Sequence, residues 1–309
     1  MSSHKIGTQH TRTPAVPKTY DRKAAPMRLV NMDGRLSLLH GDGAVDIEKH
    51  SGGRFGPGPH DVLDRWAEFA TWAQTAELSE ADVAPVDLAR VDAPVPAPRQ
   101  VFAIGLNYDD HARESGFVRP PTPLVFTKFV SSLTGPCTTV TLPTDTVDWE
   151  VELVVVLGRE ARDVAAADAW SHVAGVTVGQ DLSERTSQHA GPAPQFGLAK
   201  SFPGFSPTGP ALVTVDELAD PDDLELGCTI DGEQVQVGRT SQMIFSVGEL
   251  VAHLSSVLPL YPGDLIFTGT PAGVGAGRTP PRYLRPGQVL RSHIAGVGEL
   301  KQTFVAPGA

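Results

Sequence analysis

This chain of 309 residues has little cysteine: two residues, Cys137 and Cys228. They make no CxxC pair and no disulfide framework, which excludes a small disulfide-held scaffold and fits a reducing, cytoplasmic compartment. No apolar run approaches the roughly 18 to 20 residues that span a bilayer, so no membrane association is expected. Positive charge is short as well: 25 Lys and Arg against 36 Asp and Glu leave a formal net charge of -11. This argues against a nucleic-acid partner, since phosphate backbones call for basic patches. Met1 to Pro26 lacks the apolar core of a signal peptide and reads as a disordered extension.

What is present suits one enzyme-sized unit with a substantial core. A hairpin is expected from Met27, turning at Gly34. Asp61 to Leu78 reads as a helix, with Val62, Trp66, Phe69, Ala73 and Ala76 on one apolar stripe, Leu63 and Ala70 on one flank and Trp72 on the other. The proline-rich Ala93 to Arg99 suits an extended linker, so a small N-terminal α+β domain is placed at 27–96 and the main domain at 97–309. Strand-like runs then recur: Gln100 to Ile104, Pro123 to Lys128, Glu150 to Leu157, Val173 to Val178, Ala211 to Val213, Leu224 to Ile230, Leu265 to Thr268, Val289 to Ile294 and Gly298 to Val305. Helices are fewer: Asn107 to Glu114, a short one at Asp168 to Trp170, and Val247 to Leu254. Strands and helices seldom alternate, which argues for a strand-rich α+β fold rather than a doubly wound sheet.

The most informative segment is Asp148-Trp-Glu150-Val-Glu152 followed by Leu153 to Leu157. Side chains two apart on a strand share a face, so Asp148, Glu150 and Glu152 point one way while the strand runs into an apolar, doubly buried stretch. Three carboxylates there repel one another and resist desolvation. The pattern leaves two readings open: a hard divalent cation such as Mg²⁺, Mn²⁺ or Ca²⁺, or an acidic edge met by solvent, Arg or Lys. Asp181, ending the run Val173 to Asp181, is well placed to complete a site. His111 and Glu114, three apart on a helix, share a face and can hydrogen-bond. A carboxylate on one imidazole nitrogen makes the other a better base, although such pairs are often plain surface ion pairs. The glycine-rich Thr268 to Gly275 is neither a Walker loop nor a dinucleotide fingerprint, because no lysine follows and the spacing differs.

Several blocks in one order resemble the fumarylacetoacetate hydrolase family: Ile104 to Glu114, Asp148 to Gly158, Gln180 to Arg185, Ala199 to Pro210, Thr240 to Ser246 and Pro262 to Gly275. The resemblance covers Met27 to about Val305. It implies a mixed β-sandwich roll with a small N-terminal domain, and a homodimer. It also implies a Mg²⁺ or Mn²⁺ site at Glu150, Glu152 and Asp181, with Asp148 a neighbour rather than a ligand. His111, Glu114 and Lys200 become expected catalytic residues, the dyad lying on a helix that closes over the site. Arg185, Gln188, Thr270 and Tyr108 become expected substrate contacts, with amides near Thr270 also on the substrate carboxylate. Thr186 departs from the family's usual Asp after Arg185. His189, near the presumed pocket, has no role assigned.

The implied chemistry is hydrolysis of a carbon–carbon bond in a small acylpyruvate-type oxo-acid. A metal-stabilised enolate would leave as His111, steered by Glu114, activates water. Decarboxylation and keto–enol tautomerisation or isomerisation could use the same site. A metal- and oxo-acid-binding protein without catalysis is the alternative from another class.

Overall fold

The structure is a computed structural model that describes residues 27–79 and 82–308, so the expected extension at 1–26 lies outside it. Val151–Leu157 is the centre of the molecule, and every one of its residues is buried. It pairs antiparallel with Val173–Gln180 on one side and Leu265–Phe267 on the other. A strand covered on both faces needs apolar residues on both, and this one sorts them by parity. Val151, Leu153, Val155 and Leu157 enter one core, while Val154 and Val156 enter a second.

The large sheet runs in the order Ala84–Pro85, Gly43–Asp46, Arg35–His40, Arg28–Met32, Ser206–Val213, Val173–Gln180, Val151–Leu157, Leu265–Phe267, Val101–Gly105 and Leu124–Thr127. A second sheet of five strands, Glu233–Arg239, Glu225–Ile230, Val289–Ile294, Gly298–Val305 and Cys137–Thr141, faces it. The first core fills the space between the sheets; Trp149, Phe205 and Phe304 are its largest buried side chains. Neither sheet closes into a barrel, and the expected α+β sandwich is what forms.

The second core lies under the helices Pro59–Leu63 and Trp66–Ala73. One helix was expected over Asp61 to Leu78; it starts earlier, breaks at Asp64 and Arg65, and ends at Ala73. The break leaves Arg65 non-helical, with its guanidinium on the Arg54 carbonyl at 2.6 Å and over the Phe55 ring. Phe55 and Phe69 meet edge-on at 5.4 Å and are fully buried. Each such side chain contributes about 2 to 3 kcal/mol by leaving water. Val247–Val257 is set by a capping box: Ser246 Oγ accepts from the Glu249 amide at 3.3 Å, and Glu249 accepts from the Ser246 amide at 2.8 Å. Val247, Leu250, Val251 and Leu254 form its buried stripe.

Other bounds moved for local reasons. The dyad helix begins at Asp109, and the short helix near Trp170 is a 3-10 turn over Ala166–His172. Ser206–Val213 runs through two prolines that hid its first half. The strands Gly43–Asp46, Cys137–Thr141 and Glu233–Arg239 were not foreseen. In Glu233–Arg239 the inward residues include Gln236, a polar side chain that breaks the apolar alternation. The N-terminal segment is hydrogen-bonded into the large sheet, with Leu29 opposite Leu212. The proline-rich stretch bends rather than running extended, and it is packed, with Ala93, Pro94 and Val95 buried.

Candidate metal centre and active site

Strand register builds the acid cluster. Val151 lies opposite Gln180, so the residues just beyond each, Glu150 and Asp181, are brought side by side. The Asp181 amide donates to the Glu150 carbonyl at 2.9 Å. Glu150 and Glu152 share the face of Val154 and Val156, as alternation requires. One oxygen from each of Glu150, Glu152 and Asp181 lies within 4.8 Å of the others, and all three residues are buried. The ladder is interrupted after Asp148, which pairs instead with Ser183 in a two-residue strand.

Lys and Arg meet much of the acid strand, as one of the two readings required. Lys200 Nζ donates to Glu150 Oε2 and Asp181 Oδ2, each at 2.6 Å. Arg185 donates to Asp148 Oδ2 at 2.9 Å through Nε, and to Glu150 Oε1 at 2.7 Å through Nη2. Lys128, which sequence reasoning passed over as the end of a strand, is buried with its ammonium on Asp181 and on the Lys200 carbonyl. Burial pushes its pKa down. Its only sequence signal was a lysine at the end of the apolar Leu124–Thr127 segment. Burial also disfavours the charge on Lys200, but Asp181 and Glu150 outweigh it and raise its pKa.

Glu152 is different. Its recorded partner is the Gly269 amide, 2.8 Å from Oε2, and among the described residues no Lys or Arg reaches it. Burial first, then the charges of Asp181 and Glu150, push its pKa well above the usual carboxylate range. For Glu150, burial is outweighed by Lys200 and Arg185, and its pKa falls below that range. Four buried acids, Asp148, Glu150, Glu152 and Asp181, thus meet three bases, Lys128, Lys200 and Arg185. The missing positive charge is at Glu152. An all-oxygen donor set that lacks compensation fits a hard divalent cation of the Mg²⁺ or Mn²⁺ kind.

The dyad faces this cluster across a cavity of about 200 Å³. His111, 6% exposed, has Nδ1 at 2.9 Å from Glu114 Oε1. A carboxylate accepts, so Nδ1 carries the hydrogen and Nε2 keeps a free lone pair. Glu114 accepts in turn from the Gly273 amide, at 3.1 Å to Oε1 and 2.9 Å to Oε2. The cavity wall includes His111, Glu114, Glu150, Glu152, Lys200 and Arg185. Gln188, His189 and Thr270 also line it.

The expected substrate contacts differ in what the structure leaves them free to do. Thr270 lines the cavity, but its hydroxyl donates to the Val151 carbonyl at 2.8 Å and accepts from Gln236 Nε2 at 2.8 Å. A hydroxyl has one hydrogen, so none is left for a substrate carboxylate. Four amides nearby are taken by the protein's own acids: Gly269 by Glu152, Gly273 by Glu114, and Gly275 and Ala276 by Asp148 at 2.7 and 2.9 Å. Gly275 is required for this, because a Cβ there would lie 1.8 Å from the Arg282 carbonyl. Tyr108 is not in the cavity wall, but its buried hydroxyl has no hydrogen-bond partner among the described residues and lies in the field of Glu152. Tyr108 precedes the dyad helix, bridges to Met243 and borders a separate hollow with Asp109 and Pro271. Arg185 is there but largely committed: Asp148, Glu150 and Gln188 take three of its five N–H groups in hydrogen bonds, and Nη2 also lies 2.7 Å from Asp148 Oδ2.

Two further polar residues position the site without lining it. Gln180 Oε1 accepts from the Glu150 amide at 2.9 Å, and Gln236 Oε1 from the Val151 amide at 3.1 Å. Both satisfy backbone where the acid strand leaves its ladder.

This fold and site define a metal-dependent family of oxo-acid enzymes. The chain belongs to the fumarylacetoacetate hydrolase family: residues 100–305 match the model of the fumarylacetoacetate (FAA) hydrolase C-terminal domain. It is 46% identical over 208 residues to the mitochondrial oxaloacetate tautomerase FAHD2A of Homo sapiens, a match covering 67% of this chain and 66% of the relative's length. A candidate HpcE protein from Mycobacterium smegmatis is 62% identical and superposes with a TM-score of 0.88, covering 91% of this chain and all of that one. The maleylpyruvate hydrolase of Sphingobium sp. SYK-6, solved with manganese(II) and pyruvate, is 29% identical with a TM-score of 0.74, covering 91% and 99%. The human relative's mitochondrial name differs from the cytoplasmic compartment expected for this chain. Among the described residues no helix is long and apolar enough to cross a membrane.

Proposed function

We propose that this chain is a divalent-metal-dependent enzyme that interconverts the keto and enol forms of a short 2-oxo dicarboxylate of the oxaloacetate kind. The observation that carries this reading is one small cavity holding a carboxylate-backed base, His111, opposite the under-compensated acid cluster. Glu150, Glu152 and Asp181 would hold the cation, which supplies Lewis acidity that makes the carbon beside a chelating ketone easier to deprotonate. His111 Nε2 takes the proton from that carbon. Glu114 steadies the imidazolium through Nδ1, and is itself held by the Gly273 amide. Lys200 places its positive charge where negative charge develops on the former ketone oxygen. The imidazolium then returns the proton to that oxygen, so atoms balance with no net loss or gain. The Gln188 amide nitrogen, whose partner oxygen is occupied by Arg185, is free to donate to the substrate.

A second reading is the hydrolytic one. The same dyad can take a proton from water, which would attack the second carbonyl of an acylpyruvate, break the adjacent carbon–carbon bond and release two acids. The maleylpyruvate hydrolase neighbour supports it. One experiment separates the two. The metal-loaded protein is mixed with enol oxaloacetate and with an acylpyruvate, enol absorbance is followed, and products are identified. Tautomerisation gives ketonised oxaloacetate with no new acid; hydrolysis gives pyruvate and a second acid. No reaction with either substrate leaves a binding protein. We further propose a homodimer, supported by Leu124, Val125, Phe129 and Val130, apolar residues exposed at the end of the large sheet.

A further inference from the structure

The cavity has two chemically different ends. One is the acid cluster with Lys200. The other is the turn Arg185–Gln188 and the residue that caps it, His189. Positions 185, 188 and 189 are three and four apart, so they share one face of the turn. The Gln188 oxygen is already used, taking Arg185 Nη1 at 2.8 Å. What remains are the Gln188 amide hydrogens, two Arg185 N–H groups and the imidazole of His189, which offers an N–H. The backbone amide of His189 is spent on the Arg185 carbonyl at 3.2 Å. Its ring, in contrast to His111 on Glu114 and His172 on the Glu160 carbonyl, makes no hydrogen bond or ion pair among the described residues. His189 is exposed and borders the cavity, in the positive field of Arg185 and Lys200.

We propose that His189 is a specificity-determining residue that binds the distal carboxylate of the substrate, selecting 2-oxo dicarboxylates over 2-oxo monocarboxylates. The inference rests on the oxo-acid reading above and adds which end of the cavity holds the second charge. The acid cluster cannot hold it: the carboxylates there already exceed the bases by one. In the glycine loop, the amides of Gly269, Gly273, Gly275 and Ala276 are already spent on Glu152, Glu114 and Asp148. The apolar walls, among them Phe117, Phe196 and Val274, offer no donor. An imidazole with an unused N–H at the rim, beside unused amide hydrogens, is the complementary partner. No role in proton transfer follows from this, because the base is His111.

The test compares two stable ligands on the Mn²⁺-loaded protein by calorimetry: oxamate, with a single carboxylate, and N-oxalylglycine, which adds a distal one. Wild type is expected to bind N-oxalylglycine more tightly. His189→Ala should weaken N-oxalylglycine about tenfold, the size of one hydrogen bond to a charged group, and leave oxamate unchanged. His189→Gln, which keeps a donor, should restore most of the loss. In turnover the same variants should raise KM for oxaloacetate with kcat held, and leave KM for phenylpyruvate enol unchanged. Equal weakening of both ligands, or no weakening of N-oxalylglycine, overturns the proposal. If no oxo-acid is turned over by wild type, the functional reading fails, while the binding ratio still decides the role of His189.

Discussion

The two edges of the acid cluster are built from the same residue type on the same strand, yet they differ in kind. Glu150 is held by Lys200 and Arg185. Glu152, two residues on, has one backbone amide. The Glu150 edge is a finished buried ion network, whose desolvation is offset within the protein. The Glu152 edge is unfinished, and its excess charge is what a cation would relieve. The half-buried trio Arg35, Asp46 and Glu48 gives the third term: similar pairs, at 2.6 and 2.7 Å, but open to solvent. Geometry alone does not separate the three; burial and the balance of charge do.

The sharpest way to break the comparison is to neutralise each acid in metal-free protein. Glu150→Gln strips Lys200 and Arg185 of a buried partner and should cost about 3 to 5 kcal/mol in denaturant unfolding. Glu152→Gln removes an uncompensated charge and should leave stability unchanged or raised. Equal losses would mean that the two edges are alike. Across the cavity, His111→Ala should lower kcat by about 10² to 10⁴ while the cation still binds, since His111 is not in the acid cluster. Loss of both together would tie the dyad to the metal centre itself.

Part of this contrast was legible in the sequence. Alternation along Val151 to Leu157 placed the two glutamates on one face, and an i, i+3 spacing joined His111 to Glu114. The family blocks supplied Asp181 and Lys200. Lys128 was not legible, because its burial depends on packing against strands far along the chain. The partners of Thr270 and of several glycine-loop amides were not legible for a related reason. Their type suits anion binding, but which group they meet is a matter of tertiary structure: Thr270 meets the Val151 carbonyl, and Gly269, Gly273 and Gly275 meet Glu152, Glu114 and Asp148. The broken helix at Arg65 shows the same limit: the apolar stripe was right, while the break answers to Arg54 and Phe55.

Smaller effects refine the boundary between buried and exposed acids. Glu184 caps the turn that carries Arg185, accepting from the Ser187 amide at 2.7 Å and from Thr146 Oγ1 at 2.5 Å. Burial opposes its ionisation, but the hydrogen bonds from Ser187, Thr146 and Thr144 win and hold its pKa down at about 2. A depressed folded pKa gives stability that is full above the unfolded value, about 4.5, and is lost as pH falls towards 2. The stability difference between wild type and Glu184→Gln should therefore be about 1 to 2 kcal/mol at neutral pH, because solvent screens part of it. It should shrink through that acid window. A difference independent of pH would assign the loss to packing. Asp46→Asn, at the solvent-facing trio, should cost about 0.5 to 1 kcal/mol, from the weak pair with Arg35 alone, because asparagine keeps the helix cap.

The central claim is that the unpaired edge at Glu152 is a cation site. Calorimetric titration of Mn²⁺ into metal-free wild type and Glu152→Gln tests it most directly. The account predicts one bound ion in wild type and loss of that binding in a variant that is folded and no less stable. Wild-type affinity in folded Glu152→Gln would contradict it.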